Sequence, residues 1–307
     1  MFGKKSNGAI IATLLLTVFI WGASNAGTKY IVAFWPPGFV GSTRLLCAGL
    51  ILLAILKWTK WLGELTPLDS SLRRELWWRG TVSLAIYIAV FNWALHFTTA
   101  SHVALYLGAA PVWALIWEER PARTWRSAQR YGAAALAATG VVVLFWPALK
   151  RGTGNWMGEL LGITASITWA HYGIQCRRLG AKLSGAEISA HTMWRSGVLL
   201  LPVAAVEIAQ KGLVWRWEFA AIQSYCFLAG GVIAYALWNN ALRHWPTSQV
   251  FLFNNLIPLS TMMWSHFLLG EMVTATFWFA MALIVAGVVL GQTRWEKVLG
   301  RSWVPAE

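Results

Sequence analysis

Acidic side chains are scarce in this sequence, and none lies in the middle of an apolar stretch. The 307 residues contain 12 acidic side chains against 25 lysines and arginines, and Asp69 is the single aspartate. An enzyme site needs a nucleophile with its base, or histidine grouped with acidic residues around a metal ion. The sequence contains no such group, so we expect no catalytic residue, no metal site and no cofactor.

Cysteine is also rare. Three cysteines, Cys47, Cys176 and Cys226, are each isolated within or beside an apolar segment. Their spacing matches neither a disulfide framework nor the paired ligands of a zinc site. We therefore interpret all three as small packing residues.

Apolar residues dominate the composition. The chain is 57% hydrophobic and 12% charged, values that water-soluble domains of this length rarely reach. It also contains 22 tryptophans, many at the ends of apolar runs, and indole rings favour the level of the lipid headgroups. These features predict an all-α integral membrane protein with ten transmembrane helices, at about 8–30, 37–57, 78–97, 100–118, 130–147, 156–177, 187–209, 219–241, 247–268 and 274–292.

Positive charge is unevenly distributed between the two sides that these spans define. Most lysines and arginines fall on the side of the N-terminus, and the opposite side has Lys29, Lys150, Arg151, Lys211 and Arg216. By the positive-inside rule, the N- and C-termini are cytoplasmic. The net charge of +13 is spread over short loops beside anionic lipid, so we expect membrane lipid and no nucleic acid as a partner.

The sequence contains one internal repeat. A pattern that begins at Ile86 returns about 147 residues later without a gap, and such a fixed period indicates a duplicated unit. The matched pairs are Ile86 and Ile233, Ala89 and Ala236, Asn92 and Asn239, Ala94 and Ala241, Leu95 and Leu242, Ser101 and Ser248, Val103 and Val250, Leu105 and Leu252, and Pro111 and Pro258. We divide the chain into a first five-helix repeat at 1–149 and a second at 150–307.

An odd number of spans per repeat has a topological consequence. Two copies of a five-span unit in one chain cross the membrane in opposite directions and form inverted repeats. Transporters of this architecture bind substrate in a central cavity at the repeat interface, near the middle of the bilayer. The two copies can pack against each other within one chain, and we expect a monomer.

Several short motifs resemble a known family. They are Trp21-Gly22, Asn25, Lys29-Tyr30, Pro36-Pro37 and Arg44 near the start, and Pro258, Gly270-Glu271 and Gly287-Val288 near the end. In order and spacing they are similar to the EamA unit of the drug/metabolite transporter superfamily, and the resemblance covers nearly the whole chain. It implies a multi-pass transporter of the bacterial inner (cytoplasmic) membrane. Within the superfamily, the sequence most resembles the bacterial aromatic amino acid exporter.

Polar and aromatic residues inside apolar runs are the candidates for substrate contact, because buried polar groups are costly in a membrane. On the fourth run, the candidates fall on one helical face. The adjacent carboxamides of Asn254 and Asn255 need partners, which either a substrate or a neighbouring helix supplies. The predicted substrate-binding residues are Tyr87, His102, Tyr106, Trp113, Trp169, His171, Tyr235, Asn254 and Asn255.

A second set of residues is assigned to structure or gating. Arg44 and its repeat partner Arg195 each lie about eight residues into a span, where each either contacts substrate or pairs with helix-end carbonyls. Asn92 and Asn239 recur in both repeats, which favours a shared structural role. The full set is Trp21, Asn25, Arg44, Asn92, Pro111, Arg195, Asn239 and Pro258.

The aromatic candidates favour a small aromatic or cationic solute, since rings stack on one another and attract cations. The resemblance implies export of aromatic amino acids or similar small metabolites by alternating access. Because no carboxylate lies at the middle of a span, we expect facilitated diffusion or exchange, and His102 or His171 leaves proton coupling as an alternative. Export of cationic drugs or phosphorylated metabolites is a second hypothesis, and a membrane enzyme or receptor is a third.

Overall fold

A computed structural model describes residues 7–59, 62–118, 125–151, 156–245 and 247–292, and the regular structure in these residues is helical throughout. The helical segments of this described part form ten helices, numbered here α1 to α10. Their bounds are Asn7–Ile31 (α1), Pro37–Trp58 (α2), Ser70–Phe97 (α3), 100–118 (α4), Trp125–Arg151 (α5), Trp156–Leu179 (α6), Gly185–Lys211 (α7), Trp217–His244 (α8), 247–269 (α9) and Ala275–Gln292 (α10).

Helix boundaries follow local sequence signals. Pro37 begins α2, at a position where the missing N–H of proline costs no hydrogen bond. α7 begins with a capping box, in which Ser184 and Glu187 each accept a hydrogen bond from the other's backbone N–H. α9 ends at Gly270, whose φ of 66° lies in the left-handed region that glycine adopts without strain.

Four helices depart from regular α geometry. α3 and α8 contain π-helical segments, at Leu76–Thr81 and Cys226–Ile233. α4 is interrupted just before Pro111, and α9 contains a 3₁₀ segment, Phe251–Leu256, just before Pro258. Proline lacks an N–H and its ring clashes with the preceding turn, which accounts for both interruptions. The repeat-related prolines therefore interrupt corresponding helices.

Five helices in the described residues are long and apolar enough to cross a membrane, namely α1, α2, α3, α7 and α8. Each of the ten apolar runs predicted from the sequence falls on one of the ten helices. The interruptions divide α4 and α9 into shorter pieces, and the apolar part of α10, Ala275–Gly287, is also short. The chain is thus a multi-pass helical membrane protein, and ten complete spans stay a prediction.

Glycines allow two pairs of helices to pack especially closely. α2 crosses α7, and α5 crosses α10. A β-carbon on Gly197 would lie 2.6 Å from the backbone N of Leu46, and one on Gly287 would lie 2.6 Å from the carbonyl O of Ala133. Small residues at such crossings let helix backbones approach one another within a membrane.

Two groups of three helices have matching contacts. α6 packs on α3 and α4, while α1 packs on α8 and α9. The two groups correspond helix by helix, because α1 and α6, α3 and α8, and α4 and α9 are each five helices apart along the chain. These groups meet around a small cavity, to which α2 also contributes.

Candidate functional site

The cavity lies where seven helices meet. Its lining comes from α1, α2, α3, α4, α6, α8 and α9, and comprises Trp21, Asn25, Arg44, Tyr87, Ile88, Phe91, Leu107, Trp169, Tyr235 and Ile257. The space open to the centre of a water molecule is about 20 Å³. Such a space holds roughly one water molecule, so an aromatic molecule enters only after the helices move apart.

Trp169 is the centre of an aromatic cluster at this cavity. Its ring centroid lies 4.9 Å from that of Tyr87, 5.5 Å from that of Trp21 and 5.8 Å from that of Tyr235. The other rings in contact with it are Tyr172, Trp238 and Phe251, at 5.7, 5.9 and 6.0 Å. All of these separations fall within the range at which aromatic pairs attract. The cavity wall can therefore stack against an aromatic ligand.

Hydrogen bonds fix two polar lining residues of α1. Trp21 Nε1 donates to the carbonyl O of Gly230 at 2.9 Å, within the π-helical segment of α8. Asn25 Nδ2 donates to Oγ1 of Thr261 on α9 at 3.1 Å. π-helical turns occur frequently at functional sites. Both bonds hold α1 against helices that belong to the second predicted repeat.

Arg44 is the charged residue of the lining. Its side chain is 3% exposed, and Nη1 donates a long hydrogen bond of 3.4 Å to Thr28 Oγ1. Nε has no hydrogen-bond partner among the residues that the structure describes. Within the described residues, no carboxylate forms an ion pair with this guanidinium.

Polar residues connect the helices at one end of the bundle, which we name the Lys29 end and define by Lys29, Thr98, His102, Glu159 and Glu271. Lys29 Nζ donates to the carbonyl O of Thr98 at 2.7 Å. Glu159 accepts a bond of 2.6 Å from Thr98 Oγ1 and lies 2.9 Å from His102 Nδ1. Glu271, in the loop between α9 and α10, accepts bonds from the first residues of α4. These contacts join α1, α3, α4, α6 and the loop between α9 and α10 at the Lys29 end.

Three of the predicted substrate residues, Tyr87, Trp169 and Tyr235, line the cavity. They come from α3, α6 and α8, which are far apart in the sequence and adjacent in the structure. The other predicted substrate residues lie outside the lining, namely His102, Tyr106, Trp113, His171, Asn254 and Asn255.

The three candidates on α4 share one face, as their spacing predicts, but that face packs against α6. Glu159, Gly162 and a serine four residues later form the matching stripe on α6. The contacting pairs are His102 with Glu159, Tyr106 with Gly162, and Trp113 with Ser166. These side chains therefore join α4 to α6 instead of facing the cavity.

His171 lies on α6 beyond Trp169, away from the Lys29 end. Its Nδ1 is 2.8 Å from Ser83 Oγ, and its Nε2 is 3.0 Å from Gln175 Nε2. Asn254 is fully buried, and neither polar atom of its carboxamide has a partner among the described residues. Its neighbour Asn255 is also buried.

Trp21, Asn25 and Arg44, predicted as structural or gating residues, all line the cavity. The asparagines of this set bond neighbouring helices. Asn92 Nδ2 donates to the carbonyl O of Pro37 at 3.0 Å, and Asn239 Nδ2 donates to Ser189 Oγ at 2.8 Å. Each asparagine thus joins the third helix of its predicted repeat to the second. Pro111 and Pro258 lie at the interruptions of α4 and α9, and Arg195 lies on α7 outside the lining.

Sequence patterns do not single out the apolar lining residues Ile88, Phe91, Leu107 and Ile257. Such side chains occur in every apolar run, so composition cannot distinguish the cavity from lipid. Phe91 carries one usable signal, because it lies four residues after Tyr87 on the same helical face. The described residues also contain no group of three or more His, Cys, Asp or Glu side chains that could hold a metal ion.

The chain matches the model of the EamA-like transporter family twice, over residues 8–146 and 156–291. It is 25% identical over 304 residues to the uncharacterized inner membrane transporter YedA of Escherichia coli K12, covering 97% of this chain and 93% of YedA. An uncharacterized transporter of Archaeoglobus fulgidus is 23% identical over 269 residues, covering 84% of this chain and 88% of that protein. The uncharacterized inner membrane transporter YhbE of E. coli K12 is 26% identical over 281 residues, covering 86% of this chain and 83% of YhbE.

A solved crystal structure of a protein superposes on this fold with a TM-score of 0.66, covering 97% of this chain and 100% of the other. At 16% identity, that likeness concerns the fold alone. The family model covers both halves of the chain, and the relatives named above are transporters. The protein is therefore a multi-pass membrane transporter, and it belongs to the EamA-like transporter family.

Proposed function

We propose that this transporter exports aromatic amino acids, or similar small aromatic metabolites, by alternating access through the cavity at Trp169. The observation that carries the proposal is the aromatic cluster at the cavity, in which six rings lie within 6.0 Å of the Trp169 ring. Trp169 and three of these rings, Trp21, Tyr87 and Tyr235, line the cavity. When the aromatic ring of the cargo enters the cavity, the protein rings lose contacts with one another and gain contacts with the cargo. Each such contact contributes about 0.5–1.5 kcal/mol.

The proposed architecture is ten transmembrane helices in two inverted repeats, 1–149 and 150–307, around this cavity. Two features of the packing support it. The contacts of α6 with α3 and α4 match those of α1 with α8 and α9, and the cavity lining draws on both repeats. In inverted-repeat transporters, movement of one repeat against the other exposes a central site to each side in turn.

We assign the Lys29 end to the outside of the membrane and both termini to the cytoplasm, from the distribution of basic loops. The hydrogen bonds of Lys29, Glu159 and Glu271 then close the cavity on its outer side. Release of cargo requires that these bonds break. Because one chain supplies the whole lining, the proposed functional unit is the monomer.

The described residues that line the cavity include no acidic side chain. Proton-driven transporters use intramembrane acidic or histidine side chains as proton carriers, and the proposed mechanism is therefore facilitated diffusion. Under this mechanism the concentration gradient of the cargo drives its movement, without an imposed proton gradient. A cationic cargo is disfavoured because it would meet the positive charge of Arg44 in the same cavity.

Uptake into proteoliposomes that contain the purified protein tests the proposal. Tryptophan, phenylalanine, alanine, a cationic dye and a sugar phosphate are compared, each with and without an imposed pH gradient. We expect saturable uptake of tryptophan and phenylalanine in both conditions and background uptake of the other compounds.

Protein-free liposomes measure the background. Uptake of the dye or the sugar phosphate alone would refute the proposed cargo and leave the family assignment intact. Uptake of the aromatic amino acids only under a pH gradient would refute the facilitated-diffusion mechanism.

A further inference from the structure

Arg44 and Arg195 both lie in the second helix of a predicted repeat, α2 and α7, but their surroundings differ. Arg195 Nη1 donates to the carbonyl O of His191 at 2.8 Å. Its guanidinium lies 4.5 Å from the ring centroid of Trp194 and 5.8 Å from that of Trp77. A carbonyl and two aromatic faces therefore stabilise the charge of Arg195 within the protein.

Arg44 lacks this kind of support. Among the described residues, its hydrogen-bond contact is the 3.4 Å bond to the hydroxyl of Thr28, and no aromatic ring lies against its guanidinium. Nε has no partner in the part of the chain that the structure describes, although Arg44 is 3% exposed. No ion pair of the described residues includes Arg44.

Burial of an isolated cation at this depth is energetically unfavourable. Arg44 lies about 10 Å along α2 from its first residue, at a rise of about 1.5 Å per residue. Burying an unpaired charge costs several kcal/mol, and charged residues within membrane helices mark sites where a ligand or ion is handled. Arg44 also lines the same cavity as Trp169 and Tyr87.

We propose that Arg44 binds the anionic group of the cargo, and that the carrier selects aromatic carboxylates whose amino group is dispensable. The inference deepens the proposed function and rests on it for the identity of the cavity as the transport site. Guanidinium matches a carboxylate with two parallel hydrogen bonds, while the aromatic wall receives the ring. The lining has no carboxylate to attract an ammonium group.

The test uses ligands that separate the two charges of an amino acid. Thermal unfolding of the purified protein in detergent is measured with increasing phenylalanine, 3-phenylpropionate, which lacks the amino group, or phenethylamine, which lacks the carboxylate. We expect the two carboxylates to stabilise the protein and phenethylamine to have no effect. Stabilisation by phenethylamine equal to that by 3-phenylpropionate would overturn the proposal, as would an absence of stabilisation by any aromatic carboxylate.

Variants identify the arginine responsible. Arg44→Gln should raise the half-maximal concentration of 3-phenylpropionate at least about tenfold, because a charge-assisted bond is lost. Arg44→Lys keeps the charge but loses the two parallel hydrogen bonds of a guanidinium. Its half-maximal concentration should lie between those of wild type and Arg44→Gln. Arg195→Gln is the matched control, since it removes a buried arginine outside the cavity, and its value should stay within about twofold of wild type.

An unchanged ligand response in Arg44→Gln would overturn the proposal. If Arg44→Gln does not fold, Arg44→Lys and the wild-type ligand series decide the question.

Uptake assays separate this inference from the export function. Stabilisation that depends on Arg44, without uptake of phenylalanine, would uphold the anion site and refute export. Uptake that persists in Arg44→Gln would uphold export and refute the anion site.

Discussion

Replacing Trp169 by alanine removes the centre of the aromatic cluster, and the structure sets the size of the effect. Trp169 is 2% exposed and contacts six rings. At about 0.5 kcal/mol each, the lower figure for aromatic pairs, these contacts account for about 3 kcal/mol. Core truncations of Phe or Trp to Ala cost about 3–5 kcal/mol. We therefore expect the free energy of unfolding to fall by about 3 kcal/mol, and by about 1 kcal/mol for Trp169→Phe, which keeps a ring.

The assay is equilibrium unfolding in mixed detergent micelles, followed by far-ultraviolet circular dichroism, so that the loss of an indole does not alter the signal. Trp78→Ala is the control, since Trp78 is 74% exposed and its loss should cost less than about 0.5 kcal/mol. A Trp169→Ala protein as stable as wild type would refute the packing described here. Phenylalanine uptake should fall at least about tenfold in folded Trp169→Ala. Wild-type uptake would remove Trp169 from the proposed site.

Three further changes test other parts of the structure. Gly287→Leu should destabilise the protein by about 1–3 kcal/mol, because a β-carbon at this position would lie 2.6 Å from a backbone atom of α5. Gly132→Leu is the control in the same unfolding assay. Its effect should be near neutral, because a β-carbon on Gly132 would have no atom within 4 Å. Lys29→Met breaks two hydrogen bonds to carbonyls at the end of α3. A membrane-impermeant thiol reagent added outside should therefore label a cysteine introduced in place of the cavity residue Leu107 faster, while Lys57→Met should leave labelling unchanged. Glu159→Gln should lower stability by about 1 kcal/mol, since its histidine partner is partly exposed, and an unchanged stability would show that this pair contributes nothing.

The helices could be predicted from sequence because apolar runs and their breaks are local properties. Each predicted run lies on a helix, and the prolines explain why α4 and α9 are interrupted. The aromatic residues Tyr87, Trp169 and Tyr235 were predicted together because each lies well inside an apolar run, and they meet at the cavity. The family also followed from short motifs near both ends of the chain.

The rest of the site depends on which helix faces which, and one sequence does not contain that information. The spacing of His102, Tyr106 and Trp113 correctly predicts a shared face, but only the packing reveals that α6 covers it. Arg44 and Arg195 both lie well inside the second apolar run of a predicted repeat. They differ because rings from α3 and α7 lie against Arg195, whereas Arg44 opens onto a cavity formed by distant segments.

The bonds at the Lys29 end have a kinetic consequence. Lys29 and Glu271 bind carbonyl and N–H groups at helix ends, where water can take the place of either partner when the bundle opens. Water cannot replace the ring contacts of Trp169, but an aromatic cargo can. Under the proposed mechanism, the empty carrier loses these contacts without compensation when it changes conformation, while the loaded carrier retains them. We expect labelled phenylalanine to leave vesicles faster when unlabelled phenylalanine is present outside than when the outer solution contains none.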